Sequence, residues 1–197
     1  MTLRLITKPA AFPVTVAEAR AHLNIEDGVD EALLLSLITT AALKLDGPKG
    51  LLGRCLVSQT WEYVLPAFPR GPLQIPLPPL RELTTITYRD RSGQPAFLLP
   101  ADCRLVNLGS DEAVELYPPS SFDWPVTAND PEAVVIRFKA GYGDPADVPE
   151  MLKRAILANV GTLYANRESV STGPNAPRYV DENYSELISP FIVWRFQ

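Results

Sequence analysis

Imidazole, thiol and paired carboxylates build most active sites, and this chain is sparing with all three. It has one histidine, His22, and two cysteines, Cys55 and Cys103. No serine or cysteine motif surrounds His22, so a histidine-activated nucleophile has no support; a structural or surface role is expected. The cysteines are too few and too far apart for a disulfide framework or a zinc site. Both lie beside apolar residues, as buried free thiols of a reducing compartment do. The densest carboxylate group, Glu26-Asp27 with Asp30-Glu31, lacks the alternating ligands and mid-loop glycine of a calcium loop and reads as helix capping. Glu62, Asp111 and Glu115 are the remaining acid–base candidates, which would have to face one another on a sheet. Gly141-Tyr142-Gly143-Asp144 is too short to cradle a pyrophosphate and reads as a turn. Arg89 and Arg91, and Arg137 with Lys139, make only thin basic patches of the kind a solvated sheet face carries. No catalytic, cofactor-binding or metal-ligating residue is assigned, and no cofactor is expected.

The elements that would position these groups fall into three blocks. Thr15-Val16-Ala17-Glu18 is a capping box that starts a short helix ending near Leu23. After the acidic turn, Leu34, Leu37, Ile38, Ala41 and Leu45 repeat at helical spacing, and Gly47-Pro48 and Gly50 stop that helix. From Ser58 the period becomes two. Trp61, Tyr63 and Leu65 alternate with Thr60, Glu62 and Val64, and Leu73, Ile75 and Leu77 follow. Thr84–Tyr88, Phe97–Leu99, Arg104–Leu108, Ala113–Tyr117 and Ala133–Ala140 complete about seven short strands, with Arg91-Ser92-Gly93-Gln94 as a hairpin tip. Asp147-Val148-Pro149-Glu150 then caps a long helix whose apolar stripe is Leu152, Ala155, Ile156, Val160, Leu163 and Tyr164.

Two short N-terminal helices cannot bury their faces alone. The order therefore predicts an α+β fold: a helical bundle of residues 1–57 and 146–168, including the long helix near 147–166. A small antiparallel β-sandwich or barrel, residues 58–145, is inserted into it. The 20 prolines, about double average usage, fit a loop-rich β region. Residues 169–182 read as a linker and 183–197 as an extended C-terminal tail. Tyr184, Leu187, Ile188, Phe191, Ile192, Trp194 and Phe196 crowd that tail; it either binds a partner or folds back onto its own core.

Across 197 residues, 46% hydrophobic and 21% charged, the composition is that of a folded domain. With 18 Lys+Arg against 23 Asp+Glu, a net charge of −5, the chain is unlike proteins that grip phosphate backbones. Residues 1–15 have no apolar run of signal-peptide length, and no stretch approaches the ~20 apolar residues of a membrane span. Assembly in the cytoplasm without membrane contact is expected.

Several short stretches, in order, resemble the head–tail connector (adaptor) proteins of long-tailed phages and gene transfer agents. They are Pro13-Val14-Thr15-Val16-Ala17-Glu18-Ala19-Arg20-Ala21-His22-Leu23, Leu52-Gly53-Arg54-Cys55-Leu56-Val57-Ser58-Gln59-Thr60-Trp61-Glu62 and Leu77-Pro78-Pro79-Leu80. Phe138-Lys139-Ala140-Gly141-Tyr142-Gly143 with Asp147-Val148-Pro149, and Tyr164-Ala165-Asn166-Arg167-Glu168, follow. The likeness covers residues 13–168. It implies a non-enzymatic virion protein at the head–tail interface, assembled in the bacterial cytoplasm. Such proteins form a homo-oligomeric ring, usually of twelve subunits, below the portal protein. The ring extends the DNA channel and docks a tail-side stopper or terminator, and DNA passes without sequence-specific binding.

On that resemblance the tail residues Tyr184, Leu187, Ile188, Phe191, Ile192, Trp194 and Phe196 would bind the portal, and the ring interface would involve Leu34, Ile38, Leu152 and Ile156. The alternatives are another tail-side ring, a stopper or tail terminator, and a small hydrolase or sugar-binding domain using Glu62, Asp111 and Glu115.

Overall fold

A computed structural model describes residues 1–25, 30–119, 123–165 and 182–193. Strand β1 (Thr2–Thr7) opens the chain. It is followed by helix α1 (Val16–Leu23), where the capping box forms as expected. Thr15 Oγ1 accepts from the Glu18 amide at 3.2 Å, and the Glu18 carboxylate accepts from the Thr15 amide at 2.7 Å. Helix α2 (Glu31–Leu45) is capped by Asp30, which accepts from the Ala32 amide at 2.9 Å. The buried face of α2 is Leu34, Ile38, Ala41, Ala42 and Leu45, the stripe that three-and-four spacing produces.

Seven strands follow: β2 (Gln59–Leu65), β3 (Leu73–Ile75), β4 (Leu80–Arg89), β5 (Pro95–Leu98), β6 (Arg104–Val106), β7 (Val114–Tyr117) and β8 (Val134–Ala140). They form a five-stranded sheet, β1-β2-β8-β4-β5, and a three-stranded sheet, β3-β7-β6. Every pairing in them is antiparallel. The two sheets share one core, in which Trp61, Ile86, Ile136 and Phe138 of the larger meet Leu73, Ile75, Val114 and Leu116 of the smaller. The sandwich expectation fits this arrangement. The barrel does not, since among the described residues neither sheet closes on itself. Residues 2–7, grouped with the helices on sequence grounds, instead pair with β2, Leu3 opposite Tyr63 and Leu5 opposite Trp61. Six residues with one partner strand carry too little period-two signal to separate from a loop.

Helix α3 (Glu150–Ala165) starts as expected, but Asp147 is not its cap. Asp147 ends a 3₁₀ turn over Pro145–Asp147, and its carboxylate accepts from the Asp144 amide at 2.9 Å. Proline at 149 lets α3 begin without a side-chain cap, because its missing N–H removes one orphan donor. Buried Leu152, Ala155, Ile156 and Val160 of α3 pack with α1 and α2 around a second core.

The C-terminal segment departs from an extended tail. It forms helix α4 (Glu182–Ile188) and a 3₁₀ turn at Ser189–Phe191. Tyr184, Leu187, Phe191 and Ile192 lie against the second core, and Ile188 is buried within it. Burying these apolar side chains releases more free energy than leaving them in water, about 1.5–3 kcal/mol for each fully buried one. Trp194, Phe196 and the linker residues 169–181 lie outside the described residues.

Candidate functional site

The two cores meet at the passage from α2 to β2. Cys55 points into the sheet core, whereas Leu52, Leu56 and Val57 point into the helical core. The returning chain after β8 closes against this passage: the Tyr142 amide donates to Leu56 O at 2.8 Å and the Ser58 amide to Gly143 O at 2.8 Å. Gly141 has φ +116°, and a Cβ there would lie 2.4 Å from the Val57 carbonyl oxygen. Only glycine fits so close an approach at that backbone angle.

Arg54 sits at the centre of the junction with 3% of its surface exposed. Its Nε donates to Phe191 O at 2.6 Å, and one Nη donates to the Tyr142 hydroxyl at 2.6 Å and to the Asp111 carboxylate. The Tyr142 hydroxyl donates in turn to Asp111 at 2.5 Å, and the guanidinium lies 5.7 Å from the Phe191 ring centre. Burial and the bond to Asp111 together push the Tyr142 phenol well above its ordinary range, so it stays a neutral donor. One buried cation thus ties together the β6–β7 loop, the turn after β8 and the C-terminal segment. The tail is further held by the Val193 amide, which donates to Leu52 O at 2.9 Å. Lys44 and Asn159 both reach Tyr184, at 5.3 Å from its ring centre and 3.5 Å from its hydroxyl. Arg54 and Tyr142 were visible in the sequence only as members of two motifs quoted in order. Nothing in their spacing indicated that they touch.

The sequence candidates for chemistry scatter. Glu62 accepts from Arg137 at 2.6 Å on β8. Glu115 accepts from the Tyr117 hydroxyl at 2.9 Å on the smaller sheet, and Asp111 is taken by Arg54. These carboxylates sit on different elements with different partners, so they do not form an acid–base pair. Among the described residues no group of three His, Cys, Asp or Glu side chains could hold a metal ion. His22 is exposed in the last turn of α1. Cys55 is buried and Cys103 half-buried, both free, and burial pushes the Cys55 thiol well up, which keeps it protonated and unreactive. No described helix is long and apolar enough to cross a membrane.

The outward face of the larger sheet carries the ion pairs Glu62–Arg137 and Lys139–Glu82 between strands, and Arg4–Glu132 and Arg89–Asp130 to the loop before β8. In each pair a cation meets a carboxylate. Leu34, Ile38, Leu152 and Ile156, expected near a subunit interface, are fully buried. They hold the protomer together, and what α2 and α3 present outward is Leu35, Leu43 and Met151.

The sequence matches no protein-family model and no curated protein. Solved structures do match over 100% of this chain and 98% of the other. A chain of the neck of an empty gene transfer agent (GTA) particle, computed with C6 symmetry, superposes at TM-score 0.78 and 23% identity. A chain of the virion of a native GTA particle does so at 0.77 and 21%. A chain of the neck of a native GTA particle, computed with C12 symmetry, follows at 0.67 and 21%. The likeness establishes a shared fold along the whole length, and a shared fold by itself does not assign a function.

Proposed function

We propose that the chain is a structural subunit of a virion neck, a head–tail connector that forms a ring beneath a portal and continues the DNA channel toward the tail. The observation that carries this reading is the fold likeness to chains of GTA particle necks, over 100% of this chain and 98% of theirs. The ordered sequence motifs of residues 13–168 point the same way. A net charge of −5 suits a channel past which DNA moves, because like charge repels the phosphate backbone and leaves no counterion-release gain for binding. The role is mechanical: the fold holds surfaces in place and makes or breaks no bond.

The C-terminal segment is the portal-side anchor in this reading. Its half-buried residues Tyr184, Leu187, Phe191 and Ile192 keep one side free, and Trp194 and Phe196 continue the aromatic run. Aromatic anchors of this kind often dominate an interface. The fully buried Ile188 fixes the segment to the body instead. A tail-side stopper or terminator would dock on the opposite end of the ring.

The test is co-sedimentation of the full chain with the portal protein encoded beside it and, separately, with the adjacent tail proteins. A stoichiometric portal complex supports the connector. Binding only to tail proteins would replace it with a tail-side ring.

A further inference from the structure

The two edges of the larger sheet carry complementary features. At the β5 edge, Phe97 is 71% exposed and Leu99 is 54% exposed, a costly display for large apolar side chains. Phe97 pairs with Thr87, whose neighbour Ile86 is buried in the core, so Phe97 lies on the outward face. At the β1 edge the apolar surface lies on the other side of the sheet. Leu3 and Leu5 stand opposite Tyr63 and Trp61, which face inward. With Phe12, Leu43 of α2 and Trp61 they line a cleft of about 750 Å³ between β1 and α2. Leu43 is 59% exposed and Leu5 40% exposed, so the cleft is open to an incoming side chain.

The exposed Lys8 and Lys49 line the cleft together with Asp46, and the exposed Asp102 and Arg91 flank Phe97 and Leu99 at the opposite edge. β1 and β5 are separated by three strands, about 19 Å across the sheet, so no chain can place its own Phe97 in its own cleft.

We propose that neighbouring copies of this chain overlap like roof tiles: Phe97 and Leu99 of one copy enter the cleft beneath β1 of the next. The proposal rests on the ring reading above and specifies the subunit contact. A feature on the outward face of one edge and a receptor on the inward face of the other make a heterologous contact, which closes into a ring when its rotation divides a full turn. A two-fold contact uses one self-complementary patch, and features on opposite edges and opposite faces do not share one. The contact uses α2 through Leu43, on the face opposite the buried Leu34 and Ile38. Edge strands are natural sites of association because their outer backbone groups are unpaired.

The experiment measures ring formation by the full chain, alone at high concentration and on portal, for wild type, Phe97→Lys, Leu43→Glu and the two together. All the altered positions are exposed, so the monomer's thermal unfolding should be unchanged and serves as the folding control. Each single variant should weaken assembly about tenfold or more, as loss of an interface anchor does, and the pair should recover part of the loss through the new Lys–Glu contact. In parallel, Phe97→Cys and Leu43→Cys proteins carrying Cys103→Ser are mixed under oxidation. A covalent dimer should appear only in the mixture. Rings that form normally with both single variants overturn the tile contact and leave the ring intact. Cross-linking of Phe97→Cys with itself points to a two-fold contact and also overturns it. A wild-type chain that stays monomeric in every condition overturns the ring reading and this contact with it.

Discussion

The sheet half and the helical half of the molecule are finished in different ways. The sheet core is drawn almost entirely from residues 55–140, and its outward face carries ion pairs between neighbouring strands. The helical core is assembled from three distant pieces of chain, around Val14–Val57, Val148–Val160 and Tyr184–Ile192. The last piece arrives after the other two and leaves most of its apolar side chains only half covered. The sheet is therefore the frame of the molecule, while the helical half includes an element that is held rather than built in. Stability is not uniform in such an arrangement, and elements with few fully buried contacts open at lower free energy than the core.

The comparison breaks most visibly at Phe138, fully buried on β8 between Trp61 of β2 and Leu83 of β4. Phe138→Ala should cost about 3–5 kcal/mol in urea unfolding, the range for large aromatic truncations in a packed core. A loss under 1 kcal/mol would show that the sheet is not the frame. Arg54→Met tests the other side. It removes the charge-assisted bonds to Phe191, Asp111 and Tyr142, so a loss of about 2–3 kcal/mol is expected. Hydrogen exchange should rise across residues 184–193 while the amides of β2 and β8 stay protected. Equal deprotection of both would mean that the junction, not the tail, depends on Arg54.

Ile188→Ala sharpens the contrast further. Ile188 is the one buried residue among the described residues of the tail, and its truncation should cost about 2 kcal/mol, again with exchange confined to the helical half. The smallest effect lies at the capping box of α1. Hydrogen bonds from Thr15 hold the Glu18 carboxyl below its ordinary value near 4.5. Its contribution is therefore full above that value and is lost as pH falls through the lowered one. Glu18→Gln should cost about 0.5 kcal/mol at neutral pH, small because the site is exposed. The gap between variant and wild type should close under acid. A gap that widens toward low pH would contradict this assignment.

Much of this contrast was legible in the sequence, for physical reasons that also mark where legibility stops. The Thr15–Glu18 box, the α2 stripe and the long α3 stripe are local signals, and each formed. The alternation of Trp61 and Tyr63 found β2, and the hairpin tip at 91–94 followed from its turn residues. β1 escaped because its alternation amounts to Leu3 and Leu5 alone, too short a signal to tell from a loop. The cap of α3 was misassigned to Asp147 because a 3₁₀ turn and a helix start use the same residue types.

The folded-back tail was one of two open readings. Choosing between them depends on whether α2 and α3 leave a surface for Ile188, a long-range fact that no local pattern carries. Leu34, Ile38, Leu152 and Ile156, expected at the ring interface, are fully buried in the protomer, and helical spacing alone does not tell such a face from one between copies. Arg54 illustrates the limit most clearly, since its partners are 57, 88 and 137 residues away.

The proposed role makes this fold one subunit of a neck ring seated on a portal. Electron microscopy of the full chain incubated with its portal tests it most directly. The account predicts an additional ring on the portal's tail-facing end, coaxial with the channel and rotationally symmetric. Portal particles that remain bare at saturating protein, with the chain still monomeric beside them, would contradict it.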